Sequence, residues 1–167
     1  MSRARVFACF PGTGKSYAKE NFTRLEIADS DSSQFSWVYH EDGTKTRNPE
    51  FPTNYIVEIK RRMEENDVVF VSTHAEVIKA LVDENIPFTI VHPARKLKTE
   101  YLDRYLQRGS DQGFIKLLDD NWDGFIDNVT SGTIGVPKIC LMNPHDSMTD
   151  ILDEIVRYKE EGGNTWL

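Results

Sequence analysis

Short apolar runs alternate with segments of helical periodicity along most of the chain. The apolar runs, rich in β-branched and aromatic residues, predict five strands at about residues 3–8, 25–28, 68–71, 88–91 and 138–142. Between them, apolar residues spaced three or four apart predict helices at about residues 15–22, 55–63, 77–82, 94–109, 111–129 and 147–159. This alternation is typical of a parallel sheet flanked by helices. We therefore expect an α/β fold and, because the sequence has no internal repeat or linker, a single domain over residues 1–167.

The segment that joins the first predicted strand to the first predicted helix has the pattern of a phosphate-binding loop. Residues 9–16 read CFPGTGKS, which places two glycines before a Lys-Ser pair. Glycines let successive amides point into one concavity, and the amino end of the following helix favours an anion. Lys15 would reach the β- and γ-phosphates of a nucleoside triphosphate, and the hydroxyl of Ser16 would bind Mg²⁺. The predicted nucleotide contacts are Pro11, Gly12, Thr13, Gly14, Lys15, Ser16 and Tyr17.

Two positions depart from the usual pattern of such loops. Cys9 stands where the first glycine is expected, and we interpret it as a variant because a small residue fits there. The third predicted strand is followed by Ser72, at the place where a nucleotide-binding protein often has an aspartate that assists magnesium. A simple glycine turn followed by an exposed lysine is the alternative interpretation of the whole segment.

The charge and cysteine content narrow the classes of partner. The chain has 27 acidic and 20 basic residues and a formal net charge of −7, which disfavours binding to duplex nucleic acid. Its two cysteines, Cys9 and Cys140, lack the spacing of a metal site and are typical of a reduced, intracellular protein. No apolar run is long enough for a membrane span, and the N-terminus has no signal-peptide core. We therefore expect a cytoplasmic protein without a membrane partner.

Polar residues follow the carboxyl ends of the predicted strands, where open α/β sheets bind ligands. Asp29 and Asp31 follow the second strand and would share one side of an extended tip. There they could hold magnesium-bound water or orient an acceptor hydroxyl, or they could simply form a turn and cap a helix. The candidates at the other strand ends are Ser72 and His74 for the substrate, and Arg95 and Asn143 for the nucleotide.

A charged helical segment at about residues 94–110 is a candidate lid. Arg104 and Arg108 are four residues apart and therefore lie on one face of the predicted helix. Phosphoryl transfer needs cations around the developing charge, supplied by a segment that closes over the site. The alternative is a solvated helix face in which Glu100 supports Arg104.

The aromatic and turn-rich stretch at about residues 32–60 is the candidate acceptor-binding insert. We expect it to be irregular from residue 32 to residue 53, with aromatic rings available to stack on a base. An arginine there could bind an acceptor phosphate, and an asparagine could bind a base edge. The rings could equally cover the edge of the sheet. The candidate acceptor contacts are Phe35, Trp37, Arg47, Asn54 and Tyr55.

These segments together resemble small P-loop kinases of the nucleoside monophosphate kinase group, in particular compact versions found in bacteriophage genomes. The resemblance rests on the loop at residues 10–16, on the pair Asp29 and Asp31, and on the stretches at residues 48–55 and 95–105. The order of elements is also similar to that of shikimate kinase, in which an Asp-x-Asp pair after the second strand holds magnesium water and the acceptor hydroxyl.

The resemblance implies a three-layer P-loop NTPase fold, with a five-stranded parallel sheet of order 2-3-1-4-5, helices on both faces and a small helical lid. It also implies ATP and Mg²⁺ as cofactors and transfer of the γ-phosphoryl group to a small acceptor. The predicted acceptor is a nucleoside monophosphate, with a deoxynucleotide favoured, and the predicted enzyme is a monomer or homodimer. The implied catalytic residues are Lys15, Asp29, Asp31, Arg104 and Arg108, and the implied metal ligands are Ser16 and Asp29.

Two alternatives stay open at this point. A kinase of the same class could phosphorylate a hydroxyl of a nucleic acid or a modified base, although the acidic net charge disfavours this. The chain could also bind ATP or GTP without transferring a phosphoryl group. The missing aspartate after the third strand favours that second alternative, and the pair Asp29 and Asp31 disfavours it.

Overall fold

The alternation of apolar runs and helical segments produces an α/β fold. In the computed structural model, which describes residues 4–162, five parallel strands form one sheet flanked by helices. The predicted start of the first strand at residue 3 lies outside the described residues. The strands are β1 Arg5–Cys9, β2 Ile27–Asp29, β3 Trp37–Tyr39, β4 Lys45–Arg47, β5 Val68–Val71, β6 Thr89–Pro93 and β7 Lys138–Leu141. The helices are α1 Lys15–Asn21, α2 Ser33–Ser36, α3 Thr53–Glu65, α4 Ala75–Asp83, α5 Lys98–Gln107, α6 Gln112–Val129 and α7 Met148–Glu160, with a 3-10 turn Arg95–Leu97 before α5.

The five strands of the main sheet lie in the order β2-β5-β1-β6-β7. Counted among themselves along the chain, these five strands follow the predicted order 2-3-1-4-5. The labels differ because β3 and β4, which the sequence analysis did not predict, form a separate two-stranded sheet. Assignment to the P-loop NTPase fold stays a prediction.

Contacts along the chain separate two compact units. The first comprises residues up to 9 and residues 25–88, and the second comprises residues 10–24 and residues from 89 onward. The interpretation of residues 1–167 as one domain stays a prediction. In the part of the chain that the structure describes, no helix is long and apolar enough to cross a bilayer.

Strand β5 is the central strand of the first unit. It pairs in parallel with β1 and β2, which places Phe70 opposite both Phe7 and Asp29. All four of its residues are buried, which explains their uninterrupted apolar character, because a strand covered on both faces has no solvent side. The helices α3 and α4 each bury one apolar face, formed by Tyr55, Ile56 and Ile59 in α3 and by Val77, Ile78 and Leu81 in α4.

The stretch that was predicted to be irregular contains a β-hairpin. Strands β3 and β4 pair antiparallel, and between them Gly43 has a φ of 85° while the Thr44 amide donates to Oδ1 of Asp42 at 2.9 Å. Asp-Gly turns of this kind join short antiparallel strands. The prediction was wrong here because both strands have only three residues and all three residues of β4 are exposed. No alternation of buried and polar positions marks them in the sequence.

An aromatic cluster in the second unit contains the first residue after β1. The ring of Phe10 meets the ring of Trp122 edge-on, with centroids 5.4 Å apart. The ring centroids of Trp122 and Tyr101 are 5.9 Å apart. The rings of Tyr105 and Phe114 meet edge-on, with centroids 5.3 Å apart. Because Tyr101 and Tyr105 belong to α5 while Phe114 and Trp122 belong to α6, this cluster packs both helices against Phe10, at the start of the loop that follows β1.

The boundary between α5 and α6 lies where it was predicted. Gly109, which has a φ of 76°, follows the end of α5. Asp111 then caps α6, because its Oδ2 accepts a hydrogen bond from the Phe114 amide at 3.2 Å. Glycine after one helix and aspartate before the next are the residues that these two positions favour.

Candidate functional site

The glycine loop, which we define as residues 10–14, leads into α1. Gly12 and Gly14 have φ angles of 87° and 92°, in the left-handed region that favours glycine. Gly14 is the N-cap residue of α1, and its carbonyl accepts a hydrogen bond from the Ala18 amide at 3.0 Å. The backbone therefore takes left-handed conformations at both glycines, and Lys15 and Ser16 follow in the first turn of the helix.

Both glycines are also positions of close approach. A Cβ added at Gly12 would lie 2.8 Å from Cε1 of Tyr105, and a Cβ added at Gly14 would lie 3.2 Å from Cβ of Ser147. Gly12 thus packs against α5, and Gly14 packs against the N-cap residue of α7. A side chain at Gly12 would require the Tyr105 ring to move, since contacts shorter than 3.0 Å are not tolerated.

A pocket of about 420 Å³ lies beside the glycine loop. This volume is within the range of pockets that bind small molecules. Three segments of the second unit form it: the glycine loop with the start of α1, the C-terminal half of α5, and the loop between β7 and α7. The lining residues are Gly12, Gly14, Lys15, Ser16, Tyr17, Arg104, Arg108, Pro144, His145, Asp146 and Ser147.

Three cationic side chains line this pocket. Lys15 and Arg104 are half-buried, and Arg108 is exposed. The guanidinium of Arg108 lies 5.0 Å from the centre of the Tyr105 ring, and its Nε donates to Oγ of Ser110 at 2.9 Å. Clustered cations of this kind attract a polyanion.

Asp146 is the one carboxylate among the lining residues. Its Oδ2 accepts hydrogen bonds from the backbone amide of Asn143 at 3.0 Å and from Nδ2 of the same residue at 3.2 Å. Asn143, a predicted nucleotide contact, is therefore bonded within its own loop and does not line the pocket. The four residues that follow it, 144–147, do line the pocket.

Arg104 is bonded to two carbonyl groups. One terminal nitrogen, Nη1, donates to the carbonyl of Gly12, and the other, Nη2, donates to the carbonyl of Pro144 at 2.6 Å. The guanidinium carbon lies 4.4 Å from the centre of the Tyr101 ring. One side chain thus joins the glycine loop to the loop after β7.

Tyr105 donates its hydroxyl to the carbonyl of Pro11 at 2.7 Å. Burial raises the pKa of Tyr105 well above its ordinary value, so the hydroxyl keeps its proton and remains a donor. The ring is nearly perpendicular to that of Phe114 and has the guanidinium of Arg108 over its face, and these contacts restrict its orientation.

Arg95, which was predicted to contact the nucleotide, is directed toward α6. Its Nη1 donates to Oδ1 of Asp123 at 2.9 Å, and its Nη2 donates to Asp127. The Arg95 carbonyl accepts a hydrogen bond from Nε1 of Trp122 at 2.9 Å. The structure therefore does not bring Arg95 to the pocket.

In the first unit, the hydroxyl of Tyr55 reaches the carboxyl end of β2. It donates to the carbonyl of Ser30 at 2.6 Å. Burial raises the pKa of Tyr55 above its ordinary value, and the negative charges of Asp31 and Asp29 raise it further, while Ser72 partly opposes the rise. The structure thus brings four predicted site residues into one electrostatic environment at the ends of β2 and β5, and keeps the phenol neutral.

The two aspartates have different surroundings. Asp29 is the half-buried last residue of β2, and Asp31 is exposed. Oδ1 of Asp31 accepts a hydrogen bond from the Ser33 amide at 2.9 Å, at the start of α2. The turn-forming role considered for Asp31 is therefore present, and it uses one of the two carboxylate oxygens.

The predicted acceptor contacts of the insert are mostly engaged with one another. The ring of Phe35 lies 5.5 Å from that of Tyr55, and Nδ2 of Asn54 donates to the Phe35 carbonyl at 2.9 Å. The guanidinium carbon of Arg47 lies 5.7 Å from the centre of the Trp37 ring, and the guanidinium forms an ion pair with Glu76. His74 is exposed at the N-cap position of α4.

Tyr105, Asp146 and Ser147 were not predicted from the sequence as site residues. The helical spacing of Tyr105 indicated packing, and no pattern shows that its hydroxyl reaches Pro11. The residues after β7 had a usable signal, because they follow a strand end as Asn143 does.

The glycine loop and Ser16 fit a nucleotide with Mg²⁺. Left-handed glycines without side chains suit close approach of phosphate oxygens, and Ser16 lines the pocket. Mg²⁺ in nucleotide sites takes one or two protein oxygens and otherwise binds phosphates and water. Over residues 4–162, no group of three or more His, Cys, Asp and Glu residues is arranged to hold a metal.

No known protein family matches the chain. No curated protein is significantly similar to it in sequence.

Proposed function

We propose that this protein is a kinase that transfers the γ-phosphoryl group of ATP to a nucleoside monophosphate, with a deoxynucleotide as the favoured acceptor. The observation that carries this proposal is the glycine loop, whose two left-handed glycines precede Lys15 and Ser16 beside a cationic pocket. The volume of this pocket, about 420 Å³, is suited to the polyphosphate part of a nucleotide.

The donor would bind with its phosphates at the glycine loop. Lys15 would neutralise the β- and γ-phosphates, and Ser16 would contribute an oxygen to Mg²⁺, which supplies additional positive charge at the phosphates. Arg108, exposed at the pocket, would contact the transferred group. These are the roles predicted for Lys15, Ser16 and Arg108.

The reaction would form one bond and break one bond. An oxygen of the acceptor phosphate attacks the γ-phosphorus, the bond to the β,γ-bridging oxygen breaks, and ADP leaves with the electron pair. The acceptor becomes a nucleoside diphosphate. Because such transfer needs little covalent chemistry, most of the rate would come from positioning and charge.

The acceptor would bind in the first unit, at the ends of β2 and β5 and at the insert of residues 32–60. Asp29 and Asp31 would orient the acceptor and water around it, as the resemblance implies. The neutral hydroxyl of Tyr55 holds the Ser30 carbonyl and so fixes the backbone between the two aspartates. The acceptor roles of Trp37 and Arg47 also remain part of the proposal.

The test is ADP formation from ATP and Mg²⁺ with each of the four deoxynucleoside monophosphates and their ribose counterparts, added one at a time. We expect ADP and the matching diphosphate to appear in equal amounts with one or two acceptors. Lys15→Ala should reduce this activity at least 100-fold, because the main cation at the β- and γ-phosphates is lost. Thermal unfolding of the variant should stay close to that of the unaltered protein.

Lys19→Ala is the matched control, because Lys19 lies one turn further along α1 and is exposed outside the pocket. It should keep full activity. Undiminished turnover by Lys15→Ala, or failure of all eight acceptors to release ADP, would contradict the proposed reaction.

One observation favours a second candidate, a kinase that acts on the hydroxyl end of a nucleic-acid strand. In the exposed hairpin of β3 and β4, Nζ of Lys45 lies 4.3 Å from the centre of the Trp37 ring. The guanidinium carbon of Arg47 lies 5.7 Å from the centre of the same ring. Cations next to an aromatic ring suit a single strand, which binds by stacking and charge. Phosphate transfer to a short oligonucleotide with a free 5′-hydroxyl, and to none of the monophosphates, would support this candidate.

A further inference from the structure

The carbonyl groups of the glycine loop are all held by donors of the protein. This pattern is unusual for a surface turn, where water would take most of these positions. Two of the donors belong to α5 and one to the first residue of α7. The carbonyls and donors are Phe10 with the Thr13 hydroxyl at 2.9 Å, Pro11 with the Tyr105 hydroxyl at 2.7 Å, Gly12 with Arg104, Thr13 with the Met148 amide at 2.9 Å, and Gly14 with the Ala18 amide at 3.0 Å.

Holding a carbonyl also orients the next amide. In a trans peptide unit the carbonyl of one residue and the amide of the next point in opposite directions. The bonds to the carbonyls of Pro11 and Thr13 therefore turn the amides of Gly12 and Gly14 away from their donors. Within the described residues, the amides of Gly12 and Gly14 donate to no acceptor. They are available to a ligand.

The side chain of Arg104 has the shape needed to hold two backbone carbonyls at once. A guanidinium is planar and presents its N–H groups in a fixed fork, so it can bridge two carbonyls that an ammonium group would contact singly. Its two terminal nitrogens bond to Gly12 and Pro144, and its plane is near the Tyr101 ring. A residue used in this way is committed to the backbone of the site.

We propose that Arg104 and Tyr105 are positioning residues that hold the glycine loop with its amides directed at the phosphates, before any ligand binds. This inference rests on the proposed function, because it assumes that the loop binds phosphates. It assigns Arg104 a role different from the direct catalytic contact that the resemblance implies. The loop of this protein is preset by α5, so part of its phosphate affinity is built into two helix residues that lie 92 and 94 positions from the carbonyls they hold.

Tyr105→Phe is the most informative variant, because it removes one hydroxyl and no charge. We expect the dissociation constants of ATP and of inorganic tripolyphosphate to rise about three- to ten-fold, as for the loss of one buried hydrogen bond. The matched control is Tyr158→Phe, on α7, whose hydroxyl has no part in the pocket and whose side chain is 37 % exposed. It should bind both ligands as the unaltered protein does.

Arg104→Lys separates positioning from direct contact. If Arg104 acts through the two carbonyls, lysine cannot replace the fork, and Arg104→Lys should lose as much affinity as Arg104→Ala, at least ten-fold. If Arg104 instead neutralises phosphate charge, lysine should keep most of the affinity. Retention of affinity in Arg104→Lys would overturn the positioning role of Arg104.

A spectroscopic measurement without ligand tests the preset loop separately from the proposed function. In a ¹H–¹⁵N spectrum of the free protein, Tyr105→Phe should move or broaden the amide signals of Gly12 and Gly14, while those of Gly43 and Gly124 stay in place. Unchanged signals of Gly12 and Gly14 would overturn the inference even if phosphate binds. Moved signals in a protein that binds neither ATP nor tripolyphosphate would leave the preset loop intact and overturn the proposed function instead.

Discussion

Gly12 combines a conformational requirement with a steric one. Its φ of 87° is costly for any residue with a Cβ, and a Cβ there would also lie 2.8 Å from the Tyr105 ring. Gly43, in the hairpin turn, has nearly the same φ of 85°, but nothing lies within 4 Å of the place where its Cβ would be. The two positions thus share the left-handed φ and differ in their packing.

Replacing each glycine by alanine should separate these two costs. We expect Gly43→Ala to lower the free energy of unfolding by about 1–2 kcal/mol, from the left-handed backbone alone. Gly12→Ala should lose about 1–3 kcal/mol more, because the added methyl group overpacks the contact with Tyr105. Denaturant unfolding measures both values. Equal losses of unfolding free energy in the two variants would show that the contact of Gly12 with Tyr105 adds no steric cost.

At the level of single residues, a short pattern of adjacent residues predicted Lys15 and Ser16 as nucleotide contacts. Both line the pocket, and their roles there stay a prediction. Arg104 was predicted to lie near the nucleotide and lines the pocket, but its bonds to Gly12 and Pro144 join residues 92 and 40 positions away. Hydrogen bonds over such separations leave no periodic mark in the sequence.

Helix α6 consists of two helical segments joined at a kink. Asn121 has a φ of −123° and a ψ of 16°, which are not helical values. Gly124 follows within the second segment, and the place of its missing Cβ is open, with no atom within 4 Å apart from the adjoining residues and backbone of the helix itself. Gly113, in the first turn, is different, because a Cβ there would lie 2.8 Å from Oδ2 of the capping residue Asp111.

Gly124→Ala should therefore stabilise the protein. Alanine restricts the unfolded chain and favours the helix by about 0.5–1 kcal/mol relative to glycine. For a chain of 167 residues we expect a rise in melting temperature of roughly 1–4 °C, measured by thermal unfolding. Gly113→Ala on the same helix should gain less, because it displaces the Asp111 cap. A lower melting temperature for Gly124→Ala would show that the second segment of α6 needs a glycine.

At the level of elements, burial determined what the sequence could predict. Strand β5 has the bounds that were predicted for it, since four consecutive buried residues leave a continuous apolar run. The hairpin of β3 and β4 was missed, since exposed strands of three residues carry no periodicity. Its Asp42-Gly43 pair was the one available signal, because such pairs favour tight turns between strands.

At the level of the whole molecule, the net charge of −7 is opposite in sign to the lining of the pocket. Lys15, Arg104 and Arg108 supply three positive charges there against the single carboxylate of Asp146. Charges further away than about 8 Å are largely screened at physiological ionic strength. We therefore expect anion binding at this pocket to depend on these few local groups and not on the net charge.

ATP with Mg²⁺ should raise the melting temperature of the whole protein. A ligand that binds the folded state at 100 times its dissociation constant stabilises it by about 2.7 kcal/mol. For a chain of this size, that corresponds to a rise of roughly 5–10 °C. Adenosine, which has no phosphates, should produce almost no shift, and Lys15→Ala should lose most of the shift with ATP. An equal shift with adenosine would place recognition in the base and not in the phosphates.

Trp122 gives the glycine loop an optical reporter. Trp122 is 2 % exposed, and its indole meets the ring of Phe10, the first residue of the glycine loop, edge-on. Its Nε1 donates a hydrogen bond to the Arg95 carbonyl. The emission of a buried indole responds to small changes in the polar groups and rings around it. With the other two tryptophans, Trp37 and Trp166, replaced by phenylalanine, fluorescence would follow this loop in solution without an attached dye. The time course of binding could then be recorded on unlabelled protein.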